Sequence, residues 1–180
     1  MNESFSKIWM YRLGFVAFSL LTVFMSLLPT QVNFDSWGTP DVIFALALAW
    51  IVRRPFYAPV VLVGLVIFFQ DMMLQRPPGL YAALIMLAMI RLRKQAYAPS
   101  DMTFLEEWLN AALSIVAVAI ALRVIMTVTF LDLPRFGTHF GSVAFTVAIY
   151  PLVALFSERV LRVTSLSLSE IEIARQEGRL

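Results

Sequence analysis

The amino-acid sequence predicts an all-helical integral membrane protein, a six-transmembrane-helix bundle. Its 180 residues are 60% hydrophobic and only 14% charged, and the core of a soluble domain of this length could not hide so much apolar surface. The apolar residues form six continuous runs, whereas the strands of a membrane barrel would alternate apolar and polar residues. Lys and Arg concentrate in every second connection between the runs, which is typical of multi-span proteins whose basic connections lie in the cytoplasm.

The first run, from Leu13 to Leu28, predicts a helix that extends back to about Phe5. With Lys7 ahead of it, this segment resembles a signal anchor. No small-x-small cleavage site follows the run and Pro29 ends it, so we expect the segment to be retained.

The second run, Val42 to Val52, is preceded by residues that favour a helix start. Thr39 is a suitable N-cap, Pro40 suits the first helical position, and Asp41 lies beside the helix N-terminus, where a negative charge is favourable. We therefore interpret Asp41 as a helix-dipole partner more readily than as a functional acid. Arg53-Arg54-Pro55 closes the run.

The third run, from about Tyr57 to Leu74, and the fourth, Leu80 to Ile90, flank the segment Pro77-Pro78-Gly79. Pro lacks an N–H and Gly tolerates positive φ, so this segment predicts a tight turn on the outer side of the membrane. Asp71 lies just ahead of it. A carboxylate at the centre of a spanning helix costs roughly 2.5 to 3.5 kcal/mol or more, so we expect Asp71 to be buried or half-buried against protein, water or a partner.

The fifth run begins with a capping box, Thr103 to Glu106, and continues to about Leu131. The sixth runs from Phe140 to Phe156, with Pro151 as an expected kink. The membrane domain then comprises residues 1–162. Residues 163–180 form a short cytoplasmic tail, which could contain a helix over 170–177 or be extended around 165–168.

The second and fourth runs are short for membrane spans. Eleven residues give about 17 Å of helix, against a hydrocarbon core of about 30 Å. Either the arginines at their ends reach out to the interface, or longer neighbouring helices shield them in a thinned or partly re-entrant arrangement around a central cavity.

Both chain ends are predicted to lie in the cytoplasm, because this orientation places most of the 14 basic residues inside. The inner basic residues are Lys7, Arg12, Arg53, Arg54, Arg91, Arg93, Lys94, Arg159, Arg162, Arg175 and Arg179. Arg76 and Arg135 lie outside, and Arg123 lies within the fifth run. The tryptophans fit an interfacial belt: Trp9, Trp37, Trp50 and Trp108.

Asp71 and Arg123 are predicted at a similar depth, about 21 and 22 Å along their helices. They could pair, or jointly line a polar outer cavity. Alternatively, Arg123 reaches outward alone towards Asp132, and Asp71 meets water near the turn. We expect Arg135 and His139 to lie solvated in an outer loop.

Most catalytic chemistries find no support in the sequence. There are no cysteines and only one His, which excludes a cysteine nucleophile and any Cys or multi-His metal site. No phosphate-binding glycine motif and no converging Ser/His/Asp set is present. The inner basic clusters suit anionic lipid headgroups, not nucleic acid. We predict a protein without catalytic residues, metal or cofactor.

Two groups of residues resemble a known family. One is Pro40-Asp41-Val42-Ile43 through Trp50-Ile51-Val52-Arg53-Arg54-Pro55, and the other is Gln70-Asp71 followed by Pro78-Gly79-Leu80. Together they resemble the bacterial rod shape-determining protein MreD family, in which Pro-Asp opens a short Leu-rich helix and an Asp precedes a Pro/Gly turn. The sequence departs from the family in having Pro77 before Pro78, which leaves the turn geometry open.

The resemblance implies a noncatalytic inner-membrane subunit of the rod elongation complex. Such proteins act with the bitopic MreC, and through it with MreB, the glycosyltransferase RodA and a penicillin-binding transpeptidase, in side-wall peptidoglycan synthesis. The family is also similar in fold to the substrate-binding components of energy-coupling-factor transporters. The alternative function is therefore a small-molecule-binding membrane component of an uptake transporter. Asp41, Asp71, Arg123, Pro78 and Gly79 are the candidate partner-binding or structural positions.

Overall fold

A computed structural model describes residues 5–28, 38–96, 103–131 and 133–159. All regular secondary structure in these ranges is helical, which confirms the predicted all-α class. The helices are α1 Phe5–Leu27, α2 Val42–Arg53, α3 Val60–Met73, α4 Leu80–Ala96, α5 Phe104–Val128 and α6 Phe136–Arg159. The expectations for Pro29, Trp37, Asp132 and the tail over 163–180 fall outside these ranges.

Three of the described helices, α1, α5 and α6, are long and apolar enough to cross a membrane, while α2 and α3 are shorter apolar helices. At 1.5 Å per residue, the 25 residues of α5 extend about 38 Å and the 12 residues of α2 only about 18 Å. The short α4 of the sequence prediction ends at Ala96, not at Ile90, because the helix continues through the basic residues that end the apolar run.

Helix α2 lies at the centre of the bundle. It packs against all five other helices, and these follow one another around it in the order α1, α3, α4, α5, α6. Ten of its twelve residues are buried, as expected for a helix that is apolar on every side. Of the two predicted explanations for its short length, shielding by neighbours is therefore the correct one for α2. Arg53 does not reach out to an interface, since its side chain is buried.

Contacts between distant residues show that successive helices alternate in direction. At one end of the bundle, Arg12 Nε donates to the Phe56 carbonyl at 3.2 Å and Arg53 contacts Glu107 at 3.1 Å. At the other end, Tyr81 contacts Asp41. We call these the Arg53 end and the Asp71 end. The described parts of α1 and α6 do not pack against each other.

Trp50 lies in the core, so its predicted place in an interfacial belt is wrong. Its ring contacts Tyr11, Phe15 and Tyr57, with ring centroids 5.6 to 6.4 Å apart. The reason is its position on α2, which has no outward face. Trp9, in contrast, is 46% exposed.

Helix α2 begins two residues later than the predicted first helical residue Pro40, and its N-cap is Asp41, not Thr39. Asp41 Oδ1 accepts from the Phe44 amide at 2.9 Å. The Asp41 amide donates to Thr146 Oγ1 at 2.9 Å, and this contact with α6 holds Asp41 at the cap position. The capping box predicted at Thr103 and Glu106 is confirmed.

Candidate functional site

The turn between α3 and α4 carries the predicted buried carboxylate. Helix α3 ends in a Schellman motif, in which the Arg76 amide donates to the Asp71 carbonyl at 2.9 Å and the Gln75 amide donates to the Met72 carbonyl at 3.4 Å. Gln75 has φ 53° and Gly79 has φ 83°. The predicted tight turn is therefore confirmed, and glycine suits its last residue.

Asp71 has no solvent-exposed surface. Its Oδ2 accepts from the Ala82 amide at 3.3 Å, in the first turn of α4. The helix N-terminus needs acceptors for its free N–H groups, and Gly79 beside it has no side chain to supply one. Asp71 therefore caps α4 from the neighbouring helix. Its Oδ1 has no hydrogen-bond partner among the described residues.

Arg123 does not contact Asp71, so the predicted pair is not formed. The Arg123 guanidinium lies 3.5 Å from the centroid of the Phe136 ring and donates to the Pro134 carbonyl at 3.3 Å. The physical reason is the order of the helices, because α4 lies between α3 and α5. The alternative for Asp71 is also wrong, since its carboxyl group is buried and does not meet water.

Asp41 joins three helices. Besides its cap on α2 and its amide bond to Thr146 of α6, its Oδ2 accepts from the Tyr81 hydroxyl of α4 at 2.9 Å. The helix-terminus role predicted for Asp41 agrees with this geometry. Pro78 is exposed on the turn. Gly79, which follows it, has positive φ, so both residues contribute to the turn through their backbone conformation.

A cavity of about 900 Å³ opens at the Asp71 end, between α1, α5, α6 and the start of α2. Its polar lining includes the side chains of Asp41, Gln70, Gln75, Arg76, Tyr81, His139, Ser142 and Thr146. The residues that α5 contributes to the lining are all apolar: Ile115, Val118, Ala119, Leu122 and Met126.

His139 belongs to α6, not to a solvated outer loop. Its Nε2 lies 3.2 Å from the Ala119 carbonyl, and its side chain is partly buried. Arg135, just before α6, is exposed as predicted. The α6 helix starts four residues earlier than the apolar run, because Phe136 to His139 extend it without a break.

A second polar cluster, at the Arg53 end, was not predicted. Arg53 is 5% exposed. Its Nε lies 3.1 and 3.2 Å from the two Glu107 carboxylate oxygens, and its Nη1 donates to the Ala154 carbonyl at 3.0 Å. The same nitrogen reaches Glu158 at 3.4 Å. The group links α2, α5 and α6.

Two further hydrogen bonds complete this cluster. The Tyr150 hydroxyl donates to Glu107 Oε1 at 2.9 Å, and Trp50 Nε1 donates to Ser157 Oγ at 3.1 Å. The sequence did contain a signal for Glu107. It lies on the same helical face as the small residues Ala111 and Ser114, at the spacing of a buried stripe.

Comparison of the chain with protein-family models, with curated proteins and with solved structures found no match. Across the described ranges, no three His, Asp or Glu side chains lie close enough together to hold a metal ion. The geometry therefore offers two functional features. One is a closed set of paired charges at the Arg53 end, and the other is an amphipathic cavity at the Asp71 end.

Proposed function

We propose that this chain is a six-span protein of the bacterial inner membrane that serves as a noncatalytic scaffold in the rod elongation complex. The two MreD-like motifs support the proposal, because their acidic residues act together at one end of the bundle. Asp41 caps α2 and binds Tyr81, and Asp71 caps α4. In this proposal both motifs exist to fix the relative positions of short helices.

We propose six spans on the basis of the alternating directions of the helices. In this proposal α1, α5 and α6 cross the membrane, and α2, α3 and α4 run in alternating directions between the same two ends of the bundle. The proposed orientation places the Arg53 end in the cytoplasm, where the exposed Arg91, Arg93 and Lys94 of α4 also lie. Both chain ends are then cytoplasmic.

The observation that carries the scaffold role is the enclosure of α2. Its N-cap Asp41 accepts from Tyr81 of α4, and Arg53 at its other end binds Glu107 of α5 and the Ala154 carbonyl of α6, so the helix forms a fixed hub. At the Arg53 end, the buried Arg53 and Glu107 side chains bind each other. A rigid hub with a wide apolar exterior suits a protein that holds other membrane helices, and we propose MreC as the direct partner.

Cysteine labelling tests the membrane arrangement directly, since the chain has no native cysteine. We expect Lys94→Cys to react only from the cytoplasmic side and Arg135→Cys only from the periplasmic side. Labelling of both positions from the same side contradicts the six-span arrangement.

Deletion and co-purification test the scaffold role. We expect rod-shaped cells that lose this protein to become round, and we expect the tagged chain to retain MreC after detergent extraction. Normal cell shape without the protein, together with no retained MreC, contradicts the proposal. An inert tagged six-span protein of the same membrane is the control for nonspecific capture.

The cavity favours a second candidate, the small-molecule-binding component of an uptake transporter. Its volume of about 900 Å³ lies within the range of ligand pockets. In that case native mass spectrometry of the purified protein should detect a tightly held soluble molecule, and an ATPase-linked partner should co-purify in place of MreC.

A further inference from the structure

Tyr81 lies between two opposite charges on the wall of the cavity. Its hydroxyl donates to Asp41 Oδ2 at 2.9 Å, and the Arg76 guanidinium carbon lies 5.4 Å from the centroid of its ring. All three residues line the cavity. The wall therefore presents a carboxylate and a guanidinium one tyrosine side chain apart, and this pattern complements a ligand that carries both an ammonium and an anionic group.

Gln70 adds an acceptor to the same wall. The residue is 7% exposed, and its Oε1 has no hydrogen-bond partner among the described residues. A buried oxygen without a partner is costly, and native proteins keep few of them. Because Gln70 lines the cavity, a ligand with an N–H donor could satisfy it.

The side chains that α5 contributes to the cavity are all apolar. Ile115, Val118, Leu122 and Met126 form an apolar strip there. A soluble zwitterion would leave this strip in water. A ligand with a hydrocarbon chain would cover it, with a gain in free energy that is proportional to the apolar area removed from water.

The cavity also has a lateral boundary that a chain could cross. Thr22 and Met25 of α1 line one side, and Thr138 and Ser142 of α6 line another. Over their described residues these two helices do not pack against each other. An acyl chain could therefore pass between them while the headgroup stays inside.

We propose that the cavity binds one aminophospholipid of the phosphatidylethanolamine type. Its phosphate lies against Arg76, its primary ammonium donates to Asp41 and Gln70, and one acyl chain follows α5. The proposal rests on the membrane arrangement proposed above. It does not depend on the identity of the protein partner.

Native mass spectrometry of the full chain tests the headgroup. The protein is released from bilayers that contain equal amounts of phosphatidylethanolamine, phosphatidylcholine and phosphatidylglycerol. We expect one phosphatidylethanolamine to be retained about tenfold more than phosphatidylcholine, whose ammonium has no N–H, because hydrogen bonds between charged groups are lost. Phosphatidylglycerol, which has no cation, should be retained about as weakly as phosphatidylcholine.

Two variants test the residues. Arg76 is exposed on the turn, so Arg76→Gln should fold and should lower phosphatidylethanolamine retention about tenfold through the lost charge. Arg135→Gln is the matched control, since Arg135 is also exposed at this end but does not line the cavity. It should retain the lipid as the unchanged protein does.

Three results would overturn the proposal. They are equal retention of the three lipids, equal loss in the two arginine variants, and a soluble molecule held in place of a lipid. Each of these is compatible with correct cysteine labelling and retained MreC, so the lipid site can fail while the scaffold role stands. Labelling of Lys94→Cys and Arg135→Cys from the same side would instead contradict the proposed membrane arrangement.

Discussion

The two ends of this bundle treat buried polar groups in opposite ways. At the Arg53 end, one arginine meets two carboxylates and a carbonyl, and Glu107 also accepts from Tyr150. At the Asp71 end, Asp71 Oδ1 and Gln70 Oε1 have no hydrogen-bond partner among the described residues, and Gln70 lines the large cavity. The buried charges at the Arg53 end therefore have hydrogen-bond partners. At the Asp71 end, which carries the cavity, two buried oxygens have none among the described residues. We infer that the Arg53 end provides rigidity and the Asp71 end provides binding.

The largest effect is expected from breaking the closed end. Glu107→Ala leaves Arg53 buried with its main ionic partner removed, and such a loss costs about 3 to 5 kcal/mol. We expect a large fall in the thermal unfolding temperature in detergent and a reduced level in the membrane. Glu106→Ala is the matched control. It removes only the exposed half of the capping box, and should cost about 1 kcal/mol or less.

A double variant separates rigidity from charge. Replacement of Arg53 by Met together with Glu107 by Leu removes both buried charges, and replacements of this kind are often neutral or stabilising. Because the Tyr150 hydroxyl still loses its acceptor Glu107, we expect the double variant to unfold less easily than Glu107→Ala but not to gain stability. If the double variant unfolds as easily as Glu107→Ala, the cost does not come from an uncompensated arginine. The inference that paired buried charges make the Arg53 end rigid would then be wrong.

The next effect comes from the cap that Asp71 gives to α4. Asp71→Leu removes the acceptor for the Ala82 amide and should cost about 1 to 2 kcal/mol of unfolding free energy. Asp71→Asn keeps one oxygen for that amide and should cost less. Equal losses in the two variants would contradict the capping role. Cell shape measured at matched protein levels shows whether Asp71 also acts in the complex.

Much of the fold could be predicted because each helix carries a local signal. Continuous apolar runs predicted the positions of the helices, and Thr103 and Gly79 predicted a start and a turn. Asp71 could be recognised because a single carboxyl group in an apolar run is costly wherever it lies. In these cases the free energy belongs to one residue and its immediate neighbours in the chain.

The contacts that could not be predicted from the sequence all involve pairs of distant residues. Arg53 and Glu107 are 54 residues apart, and each taken alone resembles an ordinary charge at a helix end. Trp50 resembles an interfacial residue until α2 is known to be enclosed. The predicted Asp71–Arg123 pair is not formed for the same reason, because residues at a similar depth can lie on helices that are not neighbours. The order of helices around α2 was the missing information.

Glycine variants test how much the backbone conformation of the α3–α4 turn contributes to stability. Gly79→Ala forces an L side chain to φ 83° and should cost about 1 to 2 kcal/mol. Gly14→Ala is the control inside α1, where an added Cβ meets nothing within 4 Å. It should stabilise the helix by about 0.5 to 1 kcal/mol. Thermal unfolding in one detergent compares the two, and shifts of the same sign would contradict the role of positive φ.

The smallest effect is expected where α3 ends. Gln75 adopts φ 53° at the position that glycine usually occupies in a Schellman motif. Gln75→Gly relieves about 1 to 2 kcal/mol of left-handed strain but increases the freedom of the unfolded chain, which offsets about 0.5 to 1 kcal/mol. The net gain should therefore be about 0.5 kcal/mol, seen as a small rise in unfolding temperature.

Phe130 is the matched position for this last variant. It has φ 54° in the same motif at the end of α5, but it does not line the cavity. Phe130→Gly should give a similar stability gain and leave lipid retention unchanged. Gln75 also lines the cavity, so Gln75→Ala is needed to measure the loss of its side chain alone. If Gln75→Gly raises stability and lowers phosphatidylethanolamine retention while Gln75→Ala leaves retention unchanged, the turn geometry itself shapes the cavity. The Asp71 end would then owe its binding property partly to backbone strain that the described residues of the Arg53 end do not contain.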